Sequence, residues 1–450
     1  MYTVTRDMTI SAANQDSADA CALAMENYMR RRSDVVPQVI KSLEHDPECA
    51  VAHATFGLLM HGAKHIALQP KVDAALEKAR QFRSGISQRE QLYIDALAFA
   101  ADGQLYDSVG CYESILADFP TDGFALNLLQ AELFWMGDME RALAASAKVE
   151  SHWNESVEGY SEYLATFAFD LEEQGHFEKA ESAGRKAVSM RPDNIWATHA
   201  VTHVLYMQNR VDEGIQWISE LEGNWDELNQ LQFHLWWHKN LFLLERQEHE
   251  TILENYDSSI RNRAHKLVEA MPDLYIDLQN GASMLWRLEL AGVNIGDRWQ
   301  EMAELVKLRT QDHASPFTSA HFAVILAAVG DFTSCSNLIE SMQDFATTSN
   351  KTVAQRYAKA GIPAAKAAIA HRQGHFQTVV DELLPVRHNL WMMGGSHAQQ
   401  DLFFQMLVHA VAKVGDRTGV ASLLNEIEKI GFIEPAQRIG YDIIAKELTL

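Results

Sequence analysis

Apolar residues recur along most of the chain with the period of an α-helix. The clearest unit spans residues 160 to 192, where an apolar stripe is followed by a turn at Gly175 and by a second helix that ends in Arg-Pro-Asp. The stripe contains Tyr163, Phe167 and Leu171, and the second helix carries Ala180 and Ala187, as in a tetratricopeptide repeat. Nowhere do β-branched and polar residues alternate over the length of a strand, so the pattern predicts an all-α fold.

Prolines and short turns recur at intervals that fit a repeat of about 34 residues. Pro47, Pro120 and Pro192 are 73 and 72 residues apart, which is about two repeats each. Short turns separate amphipathic runs at 102–103, 137–138, 175–176, 209–210, 330–331, 374–375 and 415–416. We therefore predict a TPR-like α-solenoid of about twelve antiparallel helix hairpins in a right-handed superhelix. No linker divides the sequence, so residues 1–450 are expected to form one continuous domain, with the clearest repeats at 87–260 and a longer loop at 257–272.

Composition narrows the classes of partner. The chain has 450 residues, of which 47% are hydrophobic and 22% charged, and it contains no stretch of 18 apolar residues. The N-terminus is too polar for a signal peptide, so we expect a cytoplasmic protein. The net charge of −23 repels nucleic acid and anionic lipid, and neither nucleic acid nor a membrane is an expected partner. The four cysteines lie far apart without a Cys-x-x-Cys, which is typical of buried reduced thiols.

Two pairs of histidines stand at helical spacing, one repeat apart. His199 and His203 are four residues apart, as are His234 and His238, and the two pairs are offset by 35 positions. Residues four apart share a helix face, so two neighbouring helices are expected to direct these imidazoles to one surface. Chance gives roughly one pair at this spacing, whereas the chain has four. The outer pairs, 61/65 and 371/375, end beside glycines and are interpreted as cap or surface residues.

Three interpretations of the central pairs stay open. Imidazoles from two helices can converge on a divalent transition metal, and all four histidines would then be its ligands. They can serve acid–base chemistry on a bound molecule, because histidine titrates near neutral pH. They can also be structural polar residues of a concave repeat surface. The sequence identifies no cofactor.

An acidic pair stands about one repeat further on, at the start of another predicted helix. Asp273 follows Pro272, where the helix dipole alone favours a carboxylate. Asp277 lies one turn deeper, and we hypothesise that it orients or charges one of the imidazoles. In that hypothesis a histidine is the general base and Asp277 holds it in one tautomer.

Other polar and aromatic positions are candidates for substrate binding. They are Trp237, His313, His321, Ser396, Gln399 and Asp401. Gly394 and Gly395 precede a helix that is predicted to start at Ser396, and such a pair can receive an anion or make a tight turn. A lone helical histidine or tryptophan is also commonly a satisfied packing residue. The sequence signatures of P-loop, nucleophile-elbow, zincin and dinucleotide-binding proteins are absent, which excludes those enzyme classes.

Several longer stretches contain residues that a generic tetratricopeptide repeat does not require. They are Tyr-Met-Gln-Asn-Arg-Val-Asp-Glu-Gly-Ile, Phe-His-Leu-Trp-Trp-His, Ser-Met-Leu-Trp-Arg-Leu-Glu-Leu-Ala-Gly-Val, and Leu-Pro-Val-Arg followed by Gly-Gly-Ser-His-Ala-Gln. Together they resemble the tetratricopeptide repeat protein 38 family, most strongly at residues 195–410 and through the C-terminal half, 261–450. The resemblance implies an all-helical repeat protein whose motif positions include the histidines and Asp277 named above. The chain departs from the family pattern at Asn280, where an acid is expected, and at Gln400, where a basic residue is expected.

We expect these positions to form a concave pocket that binds a small polar or aromatic molecule, with acid–base chemistry as the hypothesised activity. Clustered His, Asp and Trp are typical of small-molecule pockets, whereas protein-binding repeat grooves typically use long Lys, Arg and Asn side chains. Two alternatives stay open: a non-catalytic scaffold for a peptide or protein, and a metal-dependent hydrolase or oxygenase. Pairing into a homodimer also stays open.

Overall fold

The computed structural model of the chain describes residues 1–5, 8–430 and 437–448. This part is built almost entirely from helices, so the all-α prediction is confirmed. Its small sheet is a hairpin of two strands, β1 (Tyr2–Thr3) and β2 (Thr9–Ile10), which pair antiparallel with Tyr2 opposite Ile10. The predicted domain range 1–450 also includes residues 6–7, 431–436 and 449–450, which lie outside the described residues.

The helices follow one another with short connections. The first group is α1 (Gln15–Met29), α2 (Val35–His45), α3 (Ala50–Gly62), α4 (Gln69–Gln81), α5 (Gln88–Ala101), α6 (Leu105–Asp118), α7 (Gly123–Met136), α8 (Met139–Val149), α9 (Tyr160–Glu173), α10 (Phe177–Met190), α11 (Ile195–Met207) and α12 (Val211–Leu221). The second group is α13 (Leu231–Glu245), α14 (His249–Asn255), α15 (Lys266–Ala270), α16 (Tyr275–Leu290), α17 (Arg298–Val306), α18 (Pro316–Ala328), α19 (Phe332–Thr348), α20 (Ala354–Arg356), α21 (Ile362–Arg372), α22 (Phe376–Leu383), α23 (His397–Lys413), α24 (Arg417–Ile430) and α25 (Ile439–Glu447).

Several connections have a tighter or wider helical turn. The 3₁₀ segments are Ile66–Leu68, Glu150–His152, Glu222–Asn224, Lys307–Arg309 and Leu384–Met393, and the π segments are Tyr256–Ile260 and Tyr357–Gly361. The predicted loop at 257–272 therefore contains most of a π turn and the short helix α15.

All seven predicted turns contain a residue in the left-handed region. These residues are Gly103, Gly137, Gly175, Asn209, Gly330, Gly374 and Gly415, with φ between 53° and 83°. A left-handed residue just after a helix lets the last carbonyl groups be capped while the chain reverses, and glycine adopts it at the lowest cost. The turn positions read from the sequence are therefore confirmed.

The repeat predicted at 160–192 is formed by α9 and α10. Ala180 and Ala187 on α10 are fully buried, and the Ser161 hydroxyl of α9 donates to the Ala187 carbonyl at 3.0 Å. A side chain at Gly184 would place its Cβ 2.5 Å from Val201. Small residues at these positions let the two helices approach closely.

Contacts between Cα atoms group the chain into two compact units. Unit 1 comprises Met1–Phe134, Asp138–Val201 and Gly223–Leu231, and unit 2 comprises Trp135–Gly137, Thr202–Glu222 and Gln232–Leu450. Within unit 1, α1 pairs with α2, α3 with α4, α5 with α6 and α9 with α10. Within unit 2, α21 packs on α18 and α22, and α16 packs on α18 and α23. The single continuous domain and the right-handed superhelix stay predictions.

The cysteines agree with the expectation of buried reduced thiols. Cys21, Cys49, Cys111 and Cys335 are free thiols with buried side chains. Among the described helices, none is both long enough and apolar enough to cross a bilayer.

Candidate functional site

A row of buried polar side chains runs along α16 in unit 2. We call it the α16 polar face, and it consists of Asp277, Asn280, Ser283 and Arg287. Their spacing of three or four residues places them on one side of the helix. Each is at most 3% exposed, although much of the rest of the helix is apolar. Burial of so many polar groups on one face indicates a role other than hydrophobic packing.

The polar side chains of α16 reach three neighbouring helices. Asn280 contacts His234 on α13, and the Gln279 amide donates to the Thr318 hydroxyl on α18 at 2.9 Å. Arg287 donates to the Ala398 carbonyl on α23 at 3.3 Å. The α16 polar face is therefore held by contacts to α13 and α23.

Three of the four histidines predicted from the sequence meet in unit 2. His203 comes from α11, and His234 and His238 come from α13. Each offers one ring nitrogen, and these three nitrogens lie within 4.8 Å of one another. The Nε2 atoms of His234 and His238 are 3.2 Å apart, and the rings of His203 and His238 are 4.5 Å apart. The side chains are at most 3% exposed, so this group forms a buried imidazole cluster.

The amide of Asn280 fixes the state of His234. Nδ1 of His234 lies 2.8 Å from Oδ1 of Asn280. An amide oxygen only accepts, so Nδ1 carries the proton and Nε2 presents its lone pair towards His238. Burial lowers the pKa of His234 to about 3, against the opposing effect of the Asn280 hydrogen bond. The ring is therefore neutral at neutral pH.

His199 lies one turn before His203 on the same helix. It belongs to unit 1, where its ring stacks on Trp196 at 4.8 Å and on Phe169 at 5.3 Å between centroids. It is 3% exposed. A common role for His199 and the other three histidines stays a prediction.

Asp277 does not hold an imidazole. It is fully buried, and neither of its carboxylate oxygens has a hydrogen-bond partner among the described residues. The expectation that it hydrogen-bonds a histidine is therefore wrong, because Asn280, one turn further along α16, takes that place. Burial raises the pKa of Asp277 to about 7, and the charge of Arg261 opposes the rise.

Other polar atoms around α16 share this lack of partners. Oε1 of Gln279, Nδ2 of Asn280 and Nε of Arg287 are buried and make no hydrogen bond within the described part of the chain. Both donors and acceptors are therefore available in one region.

The C-terminal end of the α16 polar face meets Asp401 of α23. The Tyr441 hydroxyl donates to Oδ1 of Asp401, and the Gln405 amide donates to Oδ2 at 2.6 Å. Nη2 of Arg287 lies 3.7 Å from the same Oδ2. Asp401, predicted as a substrate-binding residue, is therefore buried in a network with Arg287, Gln405 and Tyr441.

Two further predicted residues are packed inside unit 2. Trp237 is 1% exposed, and its ring stacks on His234 at 5.1 Å with an interplanar angle of 11°. Nδ1 of His321 donates to the Phe317 carbonyl at 2.9 Å, and burial lowers the pKa of His321 to about 4. Both residues border buried groups and present no open surface.

Ser396 and Gln399 form a helix cap. The Ser396 hydroxyl accepts from the Gln399 backbone, and the Gln399 side chain accepts from the Ser396 backbone at 3.0 Å. This is a capping box at the start of α23, where the sequence predicts a helix N-terminus. The helix start is confirmed, and Ser396 and Gln399, predicted as substrate-binding residues, hydrogen-bond each other in this cap.

His313 lies against α19 and the following π segment. Its Nε2 is 2.8 Å from the Ser341 hydroxyl, and its ring packs on Phe345 and Tyr357. These contacts hold it to α19, so the structure does not bring His313 to the α16 polar face.

The outer histidine pairs are partly caps, as expected, and partly buried contacts. His65 caps the segment Ile66–Leu68, whereas Nε2 of His61 lies 3.1 Å from the buried Glu132. Nε2 of His371 lies 2.8 Å from Nδ1 of His409. His61 and His371 are half-buried in the last turns of α3 and α21, and each contacts a side chain that is distant in sequence.

Asn280, Ser283 and Arg287 were missed as site residues. The available signal was their spacing with Asp277 within the run Leu-Gln-Asn-Gly-Ala-Ser-Met-Leu-Trp-Arg-Leu, since a charged residue in a largely apolar helix is rarely left buried without a role.

A groove of about 1070 Å³ lies in unit 1. Its walls are formed by α8, α9 and α10, with Tyr160, Phe167, Lys179 and Lys186 among the lining residues. None of the site residues predicted from the sequence is among those that line it.

The fold and the site define an all-helical repeat protein with a buried, histidine-containing polar cluster. No protein-family model matches the chain.

Proposed function

We propose that this protein binds a small polar molecule at the α16 polar face and the adjoining imidazole cluster, and that Asp277 transfers a proton to or from it. The observation that carries the proposal is the Asp277 carboxyl group, which is fully buried and has no hydrogen-bond partner at either oxygen among the described residues. An unsatisfied buried polar group costs about 1–3 kcal/mol. Such a cost is typical of a group reserved for a ligand or for chemistry.

Asp277 is better suited to proton transfer than His234. A general acid or base works best when its pKa is near the working pH. The pKa of Asp277 is raised by burial to about 7, whereas that of His234 is lowered to about 3. We therefore assign the proton transfer to Asp277 and revise the hypothesis in which a histidine is the base.

The neighbouring groups favour a ligand with both acceptor and donor atoms. Nδ2 of Asn280 and Nε of Arg287 supply donors, and Asp277 supplies an acceptor or, when protonated, a donor. Asn280 and Arg287 are seven residues apart, which is about 10 Å along a helix. A hydroxylated or carboxylated molecule of a few carbon atoms matches this spacing.

Burial of these groups disfavours the scaffold alternative at this site. Repeat proteins bind peptides through exposed surfaces of their helices. The α16 polar face is at most 3% exposed, so it offers no such surface to a folded or extended partner. Membership of the tetratricopeptide repeat protein 38 family remains part of the proposal and adds no activity to it.

The test is identification of a small molecule that co-purifies with the protein. Purified protein is denatured, and the released molecules are identified by mass spectrometry and re-added in a thermal-shift titration. We expect Asp277→Asn to lower affinity at least tenfold, while Cys335→Ala, a buried control on α19, keeps wild-type affinity. The proposal is overturned if the protein releases no molecule in stoichiometric amount and a panel of small hydroxy acids and amides stabilises wild type and Asp277→Asn equally.

A further inference from the structure

We infer that His203, His234 and His238 form a binding site for a divalent transition-metal ion, with Zn²⁺ as the first candidate. The inference adds a metal centre to the proposed pocket, but it does not depend on which small molecule binds there. It stands on the geometry of three buried imidazoles from two helices.

The closest pair of nitrogens has the separation of two ligands on one metal ion. Imidazole nitrogens lie about 2.0–2.1 Å from Zn²⁺, so two of them on a tetrahedral ion are about 3.3 Å apart. Nε2 of His234 and Nε2 of His238 are 3.2 Å apart. His203, His234 and His238 each offer one ring nitrogen, and these nitrogens lie within 4.8 Å of one another, so a small movement completes a three-imidazole set.

Asn280 supplies the second interaction that a ligating histidine needs. Metal-bound imidazoles usually donate their other N–H to a carbonyl or carboxylate, which fixes the tautomer and the ring orientation. Oδ1 of Asn280 lies 2.8 Å from Nδ1 of His234, so the lone pair of His234 is on Nε2, the atom that faces His238. The orientation required for ligation is therefore built into the contact between α13 and α16.

Ligand chemistry sets the class of ion. Neutral imidazole suits Zn²⁺, Cu²⁺, Fe²⁺ and Ni²⁺, whereas Mg²⁺ and Ca²⁺ prefer oxygen ligands. The three side chains are at most 3% exposed, so a bound ion would be shielded from bulk water.

A hydrogen-bonded histidine pair is the competing explanation. An N–H···N contact between His234 and His238 also gives about 3 Å, but it needs only two rings. His203 is then unnecessary, although its ring is 4.5 Å from that of His238. The same chain offers a comparison, because His371 and His409 form a pair at 2.8 Å and are not grouped with a third metal-ligating side chain in the described residues.

The first measurement is metal content. The protein is produced without a histidine tag, purified without chelator, and analysed by inductively coupled plasma mass spectrometry. We expect about one equivalent of metal per wild-type chain, at least a tenfold loss in His234→Gln and His238→Gln, and no loss in His371→Gln. Metal-free wild type that also fails to take up added Zn²⁺, or equal metal content in all four proteins, overturns the inference.

A second measurement keeps the test decisive if the histidine variants fail to fold. Chelator-treated wild type is titrated with Co²⁺, and visible absorption bands of low-coordinate cobalt are expected to saturate at one equivalent. Asn280→Ala should weaken Co²⁺ binding about 10- to 100-fold, as loss of such a partner typically does. Absence of the bands overturns the inference. Asp277→Asn separates the two proposals, because it should keep the metal and lose affinity for the small molecule.

Discussion

His234 and Asn280 are joined by a 2.8 Å contact between imidazole Nδ1 and amide Oδ1. The contact connects α13 to α16 and decides which ring nitrogen of His234 faces His238. One amide therefore holds the orientation of His234 within the imidazole cluster.

Removal of this amide should destabilise the protein. In Asn280→Ala the Nδ1–H of His234 loses its acceptor inside a buried site, and an unsatisfied buried donor costs about 1–3 kcal/mol. We expect the free energy of unfolding, measured by urea denaturation, to fall by that amount. Asn280→Asp is the matched control, because a carboxylate keeps the acceptor and should retain most of the contact. Equal stability of Asn280→Ala and wild type would show that the hydrogen bond is not made.

Asp277 should make stability fall as pH rises. Its pKa is about 3.9 in an unfolded chain and about 7 in the fold, where burial raises it. Between these two pH values the folded state therefore holds a proton that the unfolded state has lost. The stability that this protonation contributes is fully present below pH 4 and is lost as pH rises through 7. Asp277→Asn should match wild type near pH 3.5 and exceed it at pH 8, by at most about 4 kcal/mol.

A second buried aspartate provides the comparison for that experiment. Burial raises the pKa of Asp170, in unit 1, to about 7 as well. Asp170→Asn should therefore remove the contribution of Asp170 to the pH dependence of unfolding free energy and leave the contribution of Asp277 unchanged. Urea midpoints at several pH values measure both, and an unchanged slope in Asp277→Asn contradicts the assignment of its pKa.

Lys64 and Glu132 form a buried ion pair in unit 1. Nζ of Lys64 lies 3.0 and 3.2 Å from the two carboxylate oxygens, and His61 contacts the same carboxylate. Burial alone raises the pKa of Glu132, but Lys64 and His61 outweigh it and hold that pKa well below its usual value.

Breaking this pair should be costly. Lys64→Met leaves Glu132 buried without its cation, and such changes typically cost about 3–5 kcal/mol. The double variant Lys64→Met/Glu132→Gln removes the charge and should recover part of the loss in a chemical denaturation experiment. If the single variant loses less than the double variant, the pair does not contribute in this way.

Gly394 and Gly374 should differ in how much an added side chain destabilises the protein. Both have positive φ, 82° and 74°. A Cβ at Gly394 would lie 2.5 Å from the Trp135 carbonyl oxygen, whereas a Cβ at Gly374 meets nothing within 4 Å among the described atoms. Gly374→Ala should cost about 1–2 kcal/mol for the left-handed backbone alone. Gly394→Ala should cost clearly more in thermal unfolding, because its φ of 82° and ψ of −168° lie in a region almost restricted to glycine and its Cβ would also collide. Equal losses in the two variants would contradict this account.

The positions of turns and helix ends could be predicted from the sequence. Each left-handed turn residue and each proline after a helix acts on its immediate neighbours, so the sequence around Gly175 or Pro192 suffices to place a turn. The four-residue spacing of His234 and His238 likewise determines that they share a face.

The contacts between site residues on different helices could not be predicted from the sequence. Asn280 meets His234 across 46 positions, and the contact depends on how α13 packs on α16. Spacing along one helix defines a face but not what lies opposite, so Asp277 was assigned the place that Asn280 holds. The contact of His61 with Glu132 was not predicted for the same reason, because Glu132 comes from a distant helix.

The π turn at Tyr256–Ile260 and the short α15 lengthen the spacing between successive repeats. Helices α9, α11 and α13 begin at residues 160, 195 and 231, but α16 begins only at residue 275. One more step of 35 positions from His234 reaches Glu269, an exposed residue of α15. Equivalent positions in the second half of the chain therefore cannot be found by counting a fixed period. An alignment of its repeats has to open a gap between α14 and α16.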